Sequence, residues 1–190
     1  MNRLVVTALA ISIAATSAWS QSASSHATHS PGATQSAHTP SMPSQEEIGE
    51  LLSKTNEYVE IYRQTFTTAK PSLDKVPSKG FYEKGLELSS QASAAIKAIQ
   101  KNGPSAYALV GLIAILDDMS LNAARATAEL MLLGIQEDRS NPKSHAMDDL
   151  QSVAGAEKNC YDISELLLHA TLRFIAVEER ALHNLLDQAK

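Results

Sequence analysis

The histidines are the side chains here best suited to holding a transition metal. His26, His29 and His38 fall in one polar stretch, with the Met42 thioether nearby. Imidazole and thioether together suit copper or zinc. Two more histidines each follow a glutamate by four residues, Glu165…His169 and Glu179…His183. One helical turn apart, each pair supplies two ligands and leaves a tetrahedral shell half filled. On a helical wheel these residues share a face with Asp162, Arg173, Arg180 and Asp187, so the simpler reading is a solvated, ion-paired surface. Glu-x-x-His, which di-iron bundles take from two of their helices, does not occur. Neither does Cys-x-x-Cys-His, the attachment motif of c-type haem.

Carboxylates on apolar faces are the second source of chemistry. Glu178 falls among Phe174, Ile175, Ala181, Leu182 and Leu185, and Asp117 stands at an apolar edge beside Ile113 and Leu121. Arg63 lies at the edge of another apolar stripe. A carboxylate buried without a partner is costly and tends to stay protonated. The spacing therefore predicts an internal polar layer of Glu178, Asp117, Arg63, Thr127 and Thr171, with Ser120 a further partner. Such a layer either pairs internally and serves stability, which is the more ordinary outcome, or lines a pocket for a ligand or a proton.

The usual nucleophiles are poorly equipped. Cys160 is the one cysteine, which excludes an internal disulfide. It sits on an apolar helix side with no histidine three or four residues away, and reads as a small buried hydrophobe. Exposed in an oxidising compartment, it would instead cross-link a dimer. There is no Gly-x-Ser-x-Gly and no glycine-rich phosphate loop. Lys70, Lys75, Lys79 and Lys84 cluster, but Asp74 and Glu83 are interspersed and the chain carries a net charge of -5. That balance argues against nucleic acid as a partner.

These residues need elements to position them. Met1–Ser20 has the three parts of a secretory signal: Arg3, the apolar run Leu4–Ala15, and Ala18-Trp19-Ser20 before a cut at Gln21. Export to a periplasmic or extracellular compartment follows, with no membrane attachment after cleavage. Gln21–Ser44 is rich in Ser, Thr, His and Pro, lacks Asp, Glu, Lys and Arg, and reads as a disordered spacer. Ser44-Gln45-Glu46-Glu47 is a capping-box pattern that opens a helical domain over 45–190.

Within that domain the apolar spacing is helical. One stripe is Ile48, Leu51, Leu52, Thr55, Val59, Tyr62 and Phe66, with Pro71 ending it. Phe81, Gly85, Leu88, Ala92, Ala95, Ile96 and Ile99 form a second, closed by Gly103-Pro104. A third helix runs to Asp138 and is apolar nearly all round over Tyr107–Leu116, as expected of a central element. It places Asp118 on an exposed side with Asn122, Arg125 and Glu129, and carries a small-residue stripe that includes Ala123, Thr127 and Gly134. Asn141-Pro142 starts the last helical stretch, kinked or broken near Gly155 and carrying Cys160, Ile163, Leu167, Ala170, Phe174, Ala181 and Leu185.

Four long amphipathic helices with short links make an all-α, antiparallel, up-down four-helix bundle. The function that fits is a non-catalytic binding or interaction module of the cell envelope, taking a protein or small-molecule partner, with a dimer possible. The alternatives are a metal- or cofactor-binding bundle, using copper or zinc, and an enzyme built on a buried carboxylate pair.

Overall fold

The computed structural model describes residues 41–138 and 145–188. They form four helices: α1 (Gln45–Leu73), α2 (Phe81–Asn102), α3 (Ala106–Asp138) and α4 (Ala146–Gln188). Each packs on its neighbours in the chain, and α4 closes back on α1. The diagonal pair α2 and α4 share no contact. This is the expected up-down four-helix bundle, with one core along its axis.

Each stripe read from the sequence turns inward. Ile48, Leu52, Thr55, Val59, Tyr62 and Phe66 of α1 are buried, as are Leu88, Ala92, Ile96 and Ile99 of α2. From α3 come Leu109, Leu112, Leu116, Met119, Ala123, Ala126 and Leu130; from α4, Val153, Cys160, Ile163, Leu167 and Ala170. Tyr62 and Phe66 stack with ring centroids 4.5 Å apart. Gly85 of α2 makes room for that stack, because a Cβ there would lie 2.8 Å from the Phe66 ring. Gly85→Ala is therefore expected to cost about 1–3 kcal/mol as overpacking, read as a lowered midpoint in denaturant.

The helix ends follow local chemistry. The Ser44 hydroxyl accepts from the Glu47 N–H at 3.0 Å and caps α1. Among the described residues Glu47 does not reach back to complete a capping box; its carboxylate takes Arg173 of α4 at 2.5 Å. Arg173 also donates to the Ser41 carbonyl at 3.1 Å, so the start of α1 is tied beside α4. At the other end of α1, the Ser72 hydroxyl and Asp149 of α4 are 2.5 Å apart. Gly80 and Gly103, at φ 89° and 87°, take the left-handed turns that flank α2.

Two punctuation signals are overridden. Pro71 does not end α1, which continues to Leu73 with the proline in its last turn. The turn is held by the Asp74 N–H on the Lys70 carbonyl and the Lys75 N–H on the Ser72 carbonyl. Gly155 does not break α4, which is one helix of 43 residues. A single exposed glycine costs about 1 kcal/mol against alanine, and burial of Val153, Ala156 and Cys160 on either side offsets that. Asn141-Pro142, expected to start the last helix, lies outside the described residues.

The larger correction concerns α3. It is not a central element, because a ring of four helices gives each one buried face. Its outer face is nevertheless apolar: Tyr107, Val110, Leu121, Met131, Leu132 and Ile135 are all exposed. Among the described residues α3 is the one helix long and apolar enough to cross a membrane, and about a third of its most apolar stretch is buried in the bundle. The end of α4 departs from expectation in another way. Arg173 is level with the first turn of α1, so the residues that follow run past the end of the bundle. Ala181 and Leu185, expected in the core, are exposed with the rest of Glu178–Gln188.

Candidate functional site

The five residues expected to form an internal polar layer are not brought together as one. Glu178 is exposed, for the reason just given: the wheel places it on an apolar side, but the bundle stops short of it. Asp117 is exposed on the outer side of α3, 90° or more from its buried row. Arg63 is exposed and pairs with Glu60 on the same helix. That guanidinium, with Gln64, holds the Glu60 carboxyl below the usual range, the Gln64 hydrogen bond contributing most.

The two threonines do point inward, separately. Thr171 is buried and its hydroxyl donates to the Leu167 carbonyl at 2.7 Å, one turn back. The Thr127 hydroxyl is buried with no hydrogen-bond partner. An unsatisfied hydroxyl costs more than the methyl that would replace it. Thr127→Val is therefore expected to leave stability unchanged or raise it by up to about 1 kcal/mol, whereas Thr171→Val should lower it. Thermal unfolding of the two variants side by side checks this.

The polar contact that links three helices inside the bundle was not foreseen. Tyr62 of α1 is fully buried, and its hydroxyl accepts from the Asn122 side-chain amide of α3 at 3.0 Å. The same amide donates to the Phe81 carbonyl, which opens α2, at 3.3 Å. The wheel puts Asn122 on the exposed side of its helix, yet it is half-buried, and the span of 60 residues between donor and acceptor leaves no local signal. Glu129, placed on that same side, also turns in and takes the Ser78 N–H at 2.9 Å. Cys160 of α4 lies close enough to Tyr62 to affect its ionisation.

Burial pushes the Tyr62 phenol far above its ordinary value and the Cys160 thiol up to about 12. Both stay neutral across the physiological range, and the contact joins α1, α2 and α3. Its accessible consequence is chemical inertness. A thiol reagent should leave Cys160 unmodified in the folded chain and modify it once denaturant is added; rapid labelling of the native protein would contradict its burial.

His26, His29 and His38 lie outside the described residues. His169 and His183 are exposed, and among the described residues no three metal-ligating side chains converge. His169 instead lines a shallow groove of about 290 Å³ between α1 and α4, with Glu47, Lys54, Leu166 and Arg173. Its partner in the sequence, Glu165, accepts the Tyr161 hydroxyl at 3.0 Å. An apolar cleft of about 490 Å³ sits between α2 and α3 beside the Gly103-Pro104 turn, walled by Ala95, Ile99, Ala108 and Ile115. Neither space contains a nucleophile next to a base.

The surface feature that stands apart is the outer face shared by α3 and α4. The α3 row described above is flanked on α4 by Tyr161, Leu168, Leu172 and Ile175, all exposed. The two rows are neighbours: after Glu165, burial and Asp162, the Asp117 carboxylate adds a last small contribution to holding the Tyr161 phenol above its usual range. Large apolar side chains exposed singly are ordinary on a monomer, but ten on one side of two adjacent helices are not scattered singles.

No family model, curated protein or solved structure matches the chain.

Proposed function

We propose that this chain is a non-catalytic interaction module of the cell envelope, exported by its N-terminal segment and binding a protein partner through the outer face of α3 and α4. The observation that supports this reading most is the apolar row on α3, set opposite that helix's own core residues. A face of that size left in water favours association, and nothing about it suits catalysis.

Site-specific photo-crosslinking in the intact envelope tests the face. A photoreactive residue at Leu132 or Leu168 should give a discrete adduct, and one at Lys97, exposed on α2, should give none. Equal labelling at all three, or none at any, overturns the reading. Processing has its own readout. Trp19 is the one tryptophan and precedes the cleavage site. The exported chain should therefore begin at Gln21 by mass and lack tryptophan emission.

A further inference from the structure

The proposed interaction face carries a more specific signal in its order of side chains. The solvent-facing seam of α3 is centred on Leu121, which is about half exposed. Counting outward in both directions, seam positions fall four, seven, eleven and fourteen residues away, the 3.5-residue period of a helix that packs along a second helix. Any helix offers such positions; the side chains on them are what inform.

Four residues out stand Asp117 on one side and Arg125 on the other, an acid and a base. Both are exposed, and neither forms an ion pair among the described residues. Seven out stand Ala114 and Ala128, both small and both exposed. Eleven out are Val110 and Leu132, and fourteen out Tyr107 and Ile135, all large and apolar. The row is thus palindromic in size and complementary in charge. Laid against an antiparallel copy of itself, it meets small with small, large with large and acid with base.

We infer that α3 pairs with α3 of a second copy, antiparallel, with Leu121 on the two-fold axis. The pairing deepens the reading above and rests on it. Two alanines opposite one another let the helix backbones approach closely near the centre. Asp117 of each copy meets Arg125 of the other, giving two symmetry-related ion pairs that fix the register and oppose a parallel arrangement. The twofold also lays α4 along α4 of the partner, which covers Tyr161, Leu168, Leu172 and Ile175. A stable interface covers ~800 Å² per partner, which calls for a face two helices wide such as this one.

Two other occupants fit less well. Gln21–Ser44 has one sizeable apolar residue, Met42, and cannot cover the face from within the chain. A lipid surface would have to accept the exposed charges Asp117 and Arg125 at the middle of the row, where charged side chains in contact with lipid are costly.

Sedimentation equilibrium of the purified chain should return twice the monomer mass at micromolar concentration. Leu121→Glu sets two carboxylates face to face on the axis and should weaken the dimer at least about a hundredfold. Its circular dichroism should be unchanged, because the position is exposed. Asp117→Arg alone should also dissociate the dimer, and adding Arg125→Asp should restore it by exchanging the charges. A monomeric wild-type chain overturns the inference, as does a dimer indifferent to Leu121→Glu or a double variant no better than the single. Partition of a monomer onto lipid vesicles overturns it in favour of a membrane. The interaction module itself is judged separately: a crosslink from Leu132 to a different protein, with the chain monomeric, keeps that reading and discards the self-pairing.

Discussion

Phe66→Ala is expected to destabilise the bundle by about 3–5 kcal/mol. The ring is fully buried, stacks on Tyr62 and fills the space that Gly85 leaves on α2. Its removal opens a cavity between two rigid helices, and the glycine across the gap has no side chain with which to fill it. Total stability of a domain this size is about 5–15 kcal/mol, so the variant stands near the limit of folding. Urea titration followed by helical ellipticity gives the number. A loss below about 1 kcal/mol would mean that the α1–α2 contact is not centred on this ring.

The second large effect is a contrast between neighbours. Leu167 is fully buried, whereas Leu168 is 45% exposed on the outer face of α4. Within the single bundle, Leu167→Ala should cost about 2–5 kcal/mol, and Leu168→Ala a few tenths, within the range of ordinary surface substitutions. Expressed as heat, the first lowers the melting temperature by about 2–4 °C per kcal/mol, or up to ~20 °C. His169→Ala, one position further on and exposed, should do little. Equal effects at 167 and 168 would place α4 in another rotation against α1 and α3.

These substitutions mark what the residue order reveals. Ile48 through Phe66, Leu88 through Ile99 and Cys160 through Phe174 are legible because a buried row must recur at helical spacing, and that spacing survives in the one-dimensional text. The boundaries at Ser44 and Gly103 are legible for a related reason: a cap and a left-handed turn restrict residue type locally.

What is lost is everything that depends on where neighbours stop. A wheel assigns Glu178 a side, yet burial there needs a helix alongside, and none extends so far. Pro71 and Gly155 weaken a helix by amounts that tertiary packing exceeds, so local propensity ends α1 too early and breaks α4 where it is continuous. The outer row of α3 is the most instructive case. Apolar residues all round a helix signal burial all round, and the bundle supplies only half of it. The other half stays in water within one chain, and we read it as the face proposed above for a second molecule. Tyr62 and Asn122 are hidden differently: each is unremarkable in its own segment, and only the packing of α1 against α3 makes them a pair.

The tether from Arg173 to Ser41 and Glu47 has a topological consequence. It holds the beginning of the first helix and the late part of the last at one pole, as an even number of antiparallel rods requires. A peptide bridge from the exposed end of α4 back to Ser41 could therefore close the bundle, with fresh ends opened at the opposite pole in the exposed link Pro77–Gly80. Such a circularly permuted chain would retain every core contact, and the order in which the rods are synthesised would cease to dictate how they assemble.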